Sequence, residues 1–187
     1  SCETTMRALS LGAVDFVTKP KLDLMSGTMK QADEIATKVK SAARARVRVP
    51  TGAPIRRTVA GPGFNATHRI LAVGASTGGC EAMSEVFQAL PADAPGIVAV
   101  IHMPAGFTKS FAARLDKECA VSVSEARDGD RILPGHILIA PGNYHMKVLR
   151  QGAVASVRIV QEDPVNLHRP SVDVLFRSAA RVVGPNA

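Results

Sequence analysis

A chain of 187 residues with 46% hydrophobic composition has material for one ordinary domain with a core, plus an appendage. No run approaches the roughly 18 consecutive apolar residues of a membrane helix, and the N-terminus lacks the basic flank, apolar stretch and cleavage site of a secretory signal, so no membrane insertion is expected. The formal charge of +7 would suit an acidic partner, but with no Trp and a single Tyr there is no aromatic stripe on which bases could stack, and nucleic acid is not expected as a partner.

The predicted elements, in chain order, begin with a short helix over residues 3–11 closed by Gly12, a strand over 14–17 and a stop at Thr18-Lys19-Pro20. From about Thr28 the residues Met29, Ala32, Ala36, Val39 and Ala43 recur at helical spacing, with Glu34 and Lys38 as a favourable i, i+4 pair. Residues 47–67 carry Pro50, Gly52, Pro54, Gly61, Pro62 and Gly63 without periodicity, the composition of a linker. Arg44, Arg46, Arg48, Arg56, Arg57 and Arg69 crowd the same region, which reads as a solvated basic segment. Residues 70–73 then form a short buried strand, Met83, Val86, Phe87 and Leu90 mark a helix, and residues 97–101 form a second buried strand. Strand, helix, strand with apolar runs predicts a parallel βαβ unit. Phe107, Phe111, Leu115 and Cys119 outline a further helix, followed by strands at 121–123 and 137–140. The segments 146–149 and 154–160 flank Gln151-Gly152 as a hairpin. Val172, Leu175, Phe176, Ala179 and Val183 define a last helix, with Pro170 and Ser171 before it and Gly184 after.

Chemistry concentrates at Gly74-Ala75-Ser76-Thr77-Gly78-Gly79, which follows a strand and opens a helix. That satisfies G-x-S-x-G in the strand–turn–helix context of a nucleophile elbow. Amides at the helix start can stabilise an oxyanion or bind a phosphate, and the turn alone does not say which. A P-loop is excluded because no Lys-Ser or Lys-Thr pair follows the glycines. A dinucleotide turn requires an acid near the end of the second strand, where this chain has His102. The ends of adjacent parallel strands lie about 5 Å apart, so Ser76 and His102 should converge at one sheet edge as nucleophile and base of an acyl-transfer enzyme. The alternatives are a general α/β serine esterase and a nucleotide-binding regulatory module using the Gly74–Gly79 turn.

The remaining candidates are weaker. His168 and Arg169, before the last helix, either line the cleft or solvate its rim. His136 and His145 read as ordinary surface or hydrogen-bonded histidines, and no spacing argues for a metal or other cofactor. Cys2, Cys80 and Cys119 form no pair at metal spacing, and their odd number is a poor disulfide framework, which fits a reducing cytoplasm. Cys80, just after the elbow, reads as a small buried residue.

From about Arg69 onward the chain resembles the protein-glutamate methylesterase domain of CheB proteins. The residues that carry the resemblance are Gly74-Ala75-Ser76-Thr77-Gly78-Gly79, Ile101-His102-Met103-Pro104, Gly106-Phe107-Thr108 and Ser110-Phe111-Ala112. Leu133-Pro134-Gly135-His136, Ala140-Pro141-Gly142 and the stretch from Pro164 to Asp173 add to it. The resemblance implies an α/β fold with a doubly wound, mostly parallel sheet and a hairpin. It also implies that Ser76 attacks the methyl ester of a chemoreceptor glutamate, with His102 taking its proton, and that receptor glutamine is deamidated at the same site. Thr77 and Gly78 fall on the oxyanion and substrate side, and the partners implied are methyl-accepting chemotaxis receptors.

The segment from Ala8 to Pro20 resembles the last third of a flavodoxin-like receiver domain, with Lys19 matching the lysine that contacts the phosphoryl group. A histidine kinase would then be phosphodonor to an intact parent. The organisation expected is a receiver remnant over 1–45, a linker over 46–66 and the esterase domain over 67–187. The family's phosphoacceptor aspartate is expected before Ser1, and the aspartate that completes its catalytic triad downstream of Ala187. Asp173, in the Pro-Ser-Val-Asp motif, does not match that catalytic position.

Overall fold

The computed structural model describes residues 2–18, 27–45 and 69–184. Helices α1 (Cys2–Ser10) and α2 (Gly27–Arg44) come first. They are followed by β1 (Ile70–Ala75), α3 (Gly79–Gln88), β2 (Gly96–Ile101), α4 (Phe107–Glu118), β3 (Ser122–Glu125) and β4 (His136–Ile139). The hairpin β5 (His145–Gln151) and β6 (Val154–Val160) and the helix α5 (Val172–Val183) complete the order.

Four strands form a parallel sheet in the order β1-β2-β4-β3. Its central strand β2 is buried along its whole length, as an uninterrupted apolar run requires when both faces are covered. Side chains alternate between the faces with the strand period of two. Ile97, Ala99 and Ile101 meet Met83, Phe87, Phe111 and Leu115 from α3 and α4, with Met6 and Leu9 of α1 at the margin. Val98 and Val100 meet Leu175, Ala179 and Val183 of α5, together with Met146, Val148 and Val157 of the hairpin. The sheet is therefore doubly wound, with α5 and the hairpin covering the face opposite α3 and α4. The hairpin closes tightly: Gln151 pairs with Val154, and Gly152 takes the positive φ of 59° that such a turn demands.

One expected strand is absent. Residues 14–17 form no strand; Val14 instead accepts a hydrogen bond from Gly78 of the elbow, and a strand needs a ladder partner that none of the described residues offers. The helix read from about Thr28 onward forms as α2, and Val39 of its apolar stripe is exposed. Val86 and Phe176 keep their helical positions but lie at the edges of their buried stripes, exposed at 56% and 44%. The linker at 46–66, Lys19 and the side chain of Glu34 lie outside what is described.

Candidate active site

Parallel pairing of β1 with β2 ends at Ala75 opposite Ile101, so the next residue on each strand is Ser76 and His102. The His102 amide donates to the Ala75 carbonyl at 3.3 Å, which carries the register one step past the strands. The side chains converge as the topology predicted: His102 Nδ1 lies 3.2 Å from Ser76 Oγ. The elbow that exposes Ser76 depends on two glycines. Gly78 is left-handed, with φ 76°, as cap of α3. At Gly79 a Cβ would stand 2.5 Å from that of Ala75, so only glycine lets the helix begin this close to the strand end.

The His102 ring is stacked by His168, with centroids 3.7 Å apart and planes 12° from parallel. Burial, and after it the neighbouring His168 and Lys38, push the imidazole down to about 4. His102 is thus neutral across the physiological range. If Nδ1 accepts the Ser76 hydroxyl proton, the ring hydrogen belongs on Nε2. That nitrogen is buried with no hydrogen-bond partner among the described residues.

The amides after Ser76 are unequal. Gly79 N–H turns back to the Ser76 carbonyl at 2.7 Å, and Gly78 N–H donates to the carbonyl of Val14 at 3.2 Å. Thr77 N–H has no partner among the described residues and is open to a ligand. The segment holding Gly78 is itself anchored, because Phe16 stacks on Phe107 at 4.7 Å and Lys38 reaches both Asp15 Oδ1 and the Phe16 carbonyl. Nothing in the local sequence pointed to Val14, Phe16 or Lys38 as neighbours of the site.

Of the two candidates before α5, His168 lies against His102, whereas Arg169 is committed to the scaffold. Its guanidinium donates twice to Asn143 Oδ1, at 3.1 and 2.8 Å, and once to the Glu162 carbonyl at 2.9 Å. Asp173 is bound to Asn166. Sequence reasoning passed over Thr108. It is fully buried, donates to Glu125 at 2.6 Å and accepts from Gly142 N–H at 3.0 Å, which ties the start of α4 to the end of β3 and the loop after β4. Its place in the Gly106-Phe107-Thr108 motif and its position in the first turn of α4 were the signals that could have found it. Cys80 is partly buried against the core, and its thiol is pushed up to about 12 chiefly by burial. Among the described residues no group of His, Cys, Asp and Glu could hold a metal ion. A cavity of about 570 Å³ lies between α4 and β3, lined by residues that include neither Ser76 nor His102.

Fold and site together define an α/β protein with a serine–histidine pair at the carboxyl edge of its parallel sheet. The comparisons narrow that class: the CheB methylesterase family matches residues 71–187. The chain is 55% identical over 185 residues to protein-glutamate methylesterase/protein-glutamine glutaminase 2 of Pseudomonas aeruginosa, covering 98% of this chain and 53% of that protein. It is 53% identical over 190 residues to the corresponding protein of Bordetella parapertussis and 51% identical over 187 residues to that of Salmonella typhimurium, in each case over 99% of this chain and 53% of the relative. The crystal structure of the Thermotoga maritima CheB methylesterase catalytic domain superposes with a TM-score of 0.61 at 37% identity, over 63% of each chain. The chain belongs to the CheB methylesterase family. It spans about half the length of the curated relatives it matches.

Proposed function

We propose that the protein from which this chain comes is a protein-glutamate methylesterase and glutamine deamidase acting on chemotaxis receptors in the cytoplasm, with Ser76 as nucleophile and His102 as base. The observation that carries this reading is the 3.2 Å approach of His102 Nδ1 to Ser76 Oγ across adjacent strand ends. In the first step Oγ attacks the ester carbonyl while Nδ1 takes its proton, and the oxyanion forms beside the Thr77 amide. Collapse of the tetrahedral intermediate expels methoxide, which leaves as methanol with the proton from Nδ1. Water then repeats the sequence on the acyl-enzyme and releases the glutamate. With glutamine as substrate the leaving group is ammonia, and the same steps serve.

The buried Nε2–H needs an acceptor, and an imidazole held near 4 is a weak base. One carboxylate at Nε2 would answer both: it accepts the hydrogen bond and, being anionic, raises the imidazole pKa toward neutrality. We assign that role to an acid in the portion of the longer relatives that this chain does not span. Losing the acid of a comparable triad costs roughly 10⁴-fold in turnover, about 5 kcal/mol of barrier. On the same reading, residues 1–45 are the end of a receiver that takes phosphate from a histidine kinase, 46–66 a linker and 67–187 the esterase domain. Among the described residues no helix is long and apolar enough to cross a membrane.

Methanol release from methylated receptor membranes tests the reading. It should be near background for the 187-residue chain, rise by orders of magnitude in a protein of the relatives' full length, and vanish again there with Ser76→Ala. Full activity that survives Ser76→Ala would overturn the assignment.

A further inference from the structure

Resting on the reading of His102 as base, we propose that His145 is a positioning residue: as a buried neutral imidazole it holds the loop of residues 161–171 in the shape that keeps His168 stacked on His102. The loop needs such a hold. Its tip is a tight turn in which Val165 and His168 exchange both backbone hydrogen bonds at 3.1 Å. The two central residues, Asn166 with φ 52° and Leu167 with φ 67°, are left-handed without being glycine. Leucine in that region is strained, and such a conformation persists only where the surroundings over-determine it. Leu167 gains nothing from packing, since it is 91% exposed.

The loop meets the start of the hairpin at several points, and burial separates them. Lys147 pairs with Glu162 at 2.6 Å, and Arg169 binds Asn143, but these contacts are exposed and screened by solvent. His145 is fully buried. Ser171 N–H donates to its Nδ1 at 3.2 Å, and Nε2 lies 3.0 Å from the Asp163 carbonyl. An acceptor on one side and a donor on the other require the neutral tautomer with hydrogen on Nε2. The ring thus joins the first strand residue of the hairpin to both ends of the segment that carries His168. Lys147 on β5 and Glu162 at the loop entrance pair with each other; the other charged or titratable groups on the surrounding elements are Arg150 on β5, Arg158 on β6, Asp163, His168 and Arg169 in the loop, and Asp173, Arg177 and Arg181 on α5. From there the link runs through the turn to His168, whose ring lies on that of His102.

The test is nitrogen-detected NMR of the histidine rings in the whole chain, which reads the site without needing turnover. At neutral pH, wild-type His145 should show one bare nitrogen, Nδ1, and one protonated nitrogen, Nε2. A charged ring, or hydrogen on Nδ1, would overturn the proposal without any variant. His145→Asn keeps an acceptor toward Ser171, His145→Gln keeps a donor toward Asp163, and His145→Leu keeps neither. The leucine variant should lose the ring-current shift between His168 and His102 and move the His102 titration upward from about 4 toward 6.5, with the asparagine and glutamine variants between it and wild type. An unaltered stack and an unaltered His102 titration in the asparagine and glutamine variants as well as in any folded leucine variant would show that His145 merely fills space. Because these signals do not depend on ester hydrolysis, a failed methanol-release assay would leave them readable, and the two claims can fall separately.

Discussion

Acidification should weaken this fold through His102, and the sign follows from its protonation. The imidazole is pushed down to about 4 from 6.5, so between those values the unfolded chain binds a proton that the folded chain refuses. Stability is complete above about 6.5 and declines as pH falls through the window. At face value the gap is worth roughly 3 kcal/mol, and because the ring is only half-buried, solvent screening reduces it to about 1–2 kcal/mol. Urea unfolding at about pH 7 and about pH 4.5 measures it, with His102→Gln as the partner chain. Glutamine does not titrate, so the variant should lose about 1–2 kcal/mol less on acidification than wild type does. Glu162, held below the usual carboxylate range by Lys147, also loses stabilisation as pH falls, but equally in both chains. Identical pH dependence in the two would refute the reasoning, since His102 would then be as freely protonated folded as unfolded.

Other perturbations probe neighbouring steps. Labelling by a fluorophosphonate, in a protein of the relatives' full length, should map to Ser76 and fall to background in Ser76→Ala. Gly79→Ala puts a methyl 2.5 Å from the Ala75 Cβ and should cost about 1–3 kcal/mol by chemical denaturation, since the clash is with a strand end and not a flexible side-chain tip. Thr108→Val leaves the Gly142 amide and a Glu125 oxygen without their partner and should cost about 2–3 kcal/mol, visible as a lower urea midpoint. Leu175→Ala, at a position with no exposure under α5, should cost about 2–5 kcal/mol in the same assay.

Much of the architecture was legible because its code is periodic. The apolar runs ending at Val73 and Ile101, separated by one helix, fix two parallel neighbours, and Gly152 fixes the hairpin. What the period does not encode is the partner a face will meet. Val39 sits on an α2 stripe as regular as that of Leu175 on α5, yet one is 61% exposed and the other fully buried. The difference lies in the sheet and hairpin opposite α5, and nothing in the helix itself records them. The extended residues 14–17 fail as a strand for the same reason: β-propensity describes a chain ready for pairing, while pairing needs another chain edge.

The Ser76–His102 pair was legible for a geometric reason, and its surroundings were not. Ser76 and His102 each follow a strand end, and parallel register converts that position into proximity without reference to anything else in the fold. The Gly78 amide shows the limit of such local inference. Its place in the turn offers it to an oxyanion as readily as that of Thr77, yet it is bound to Val14, sixty-four positions earlier. Phe16 against Phe107 and Lys38 against Asp15 hold that contact, and each joins segments whose meeting depends on packing and not on spacing. The consequence reaches the chemistry. With its hydrogen directed to the Val14 carbonyl, the Gly78 amide cannot at the same time serve a ligand beside Ser76.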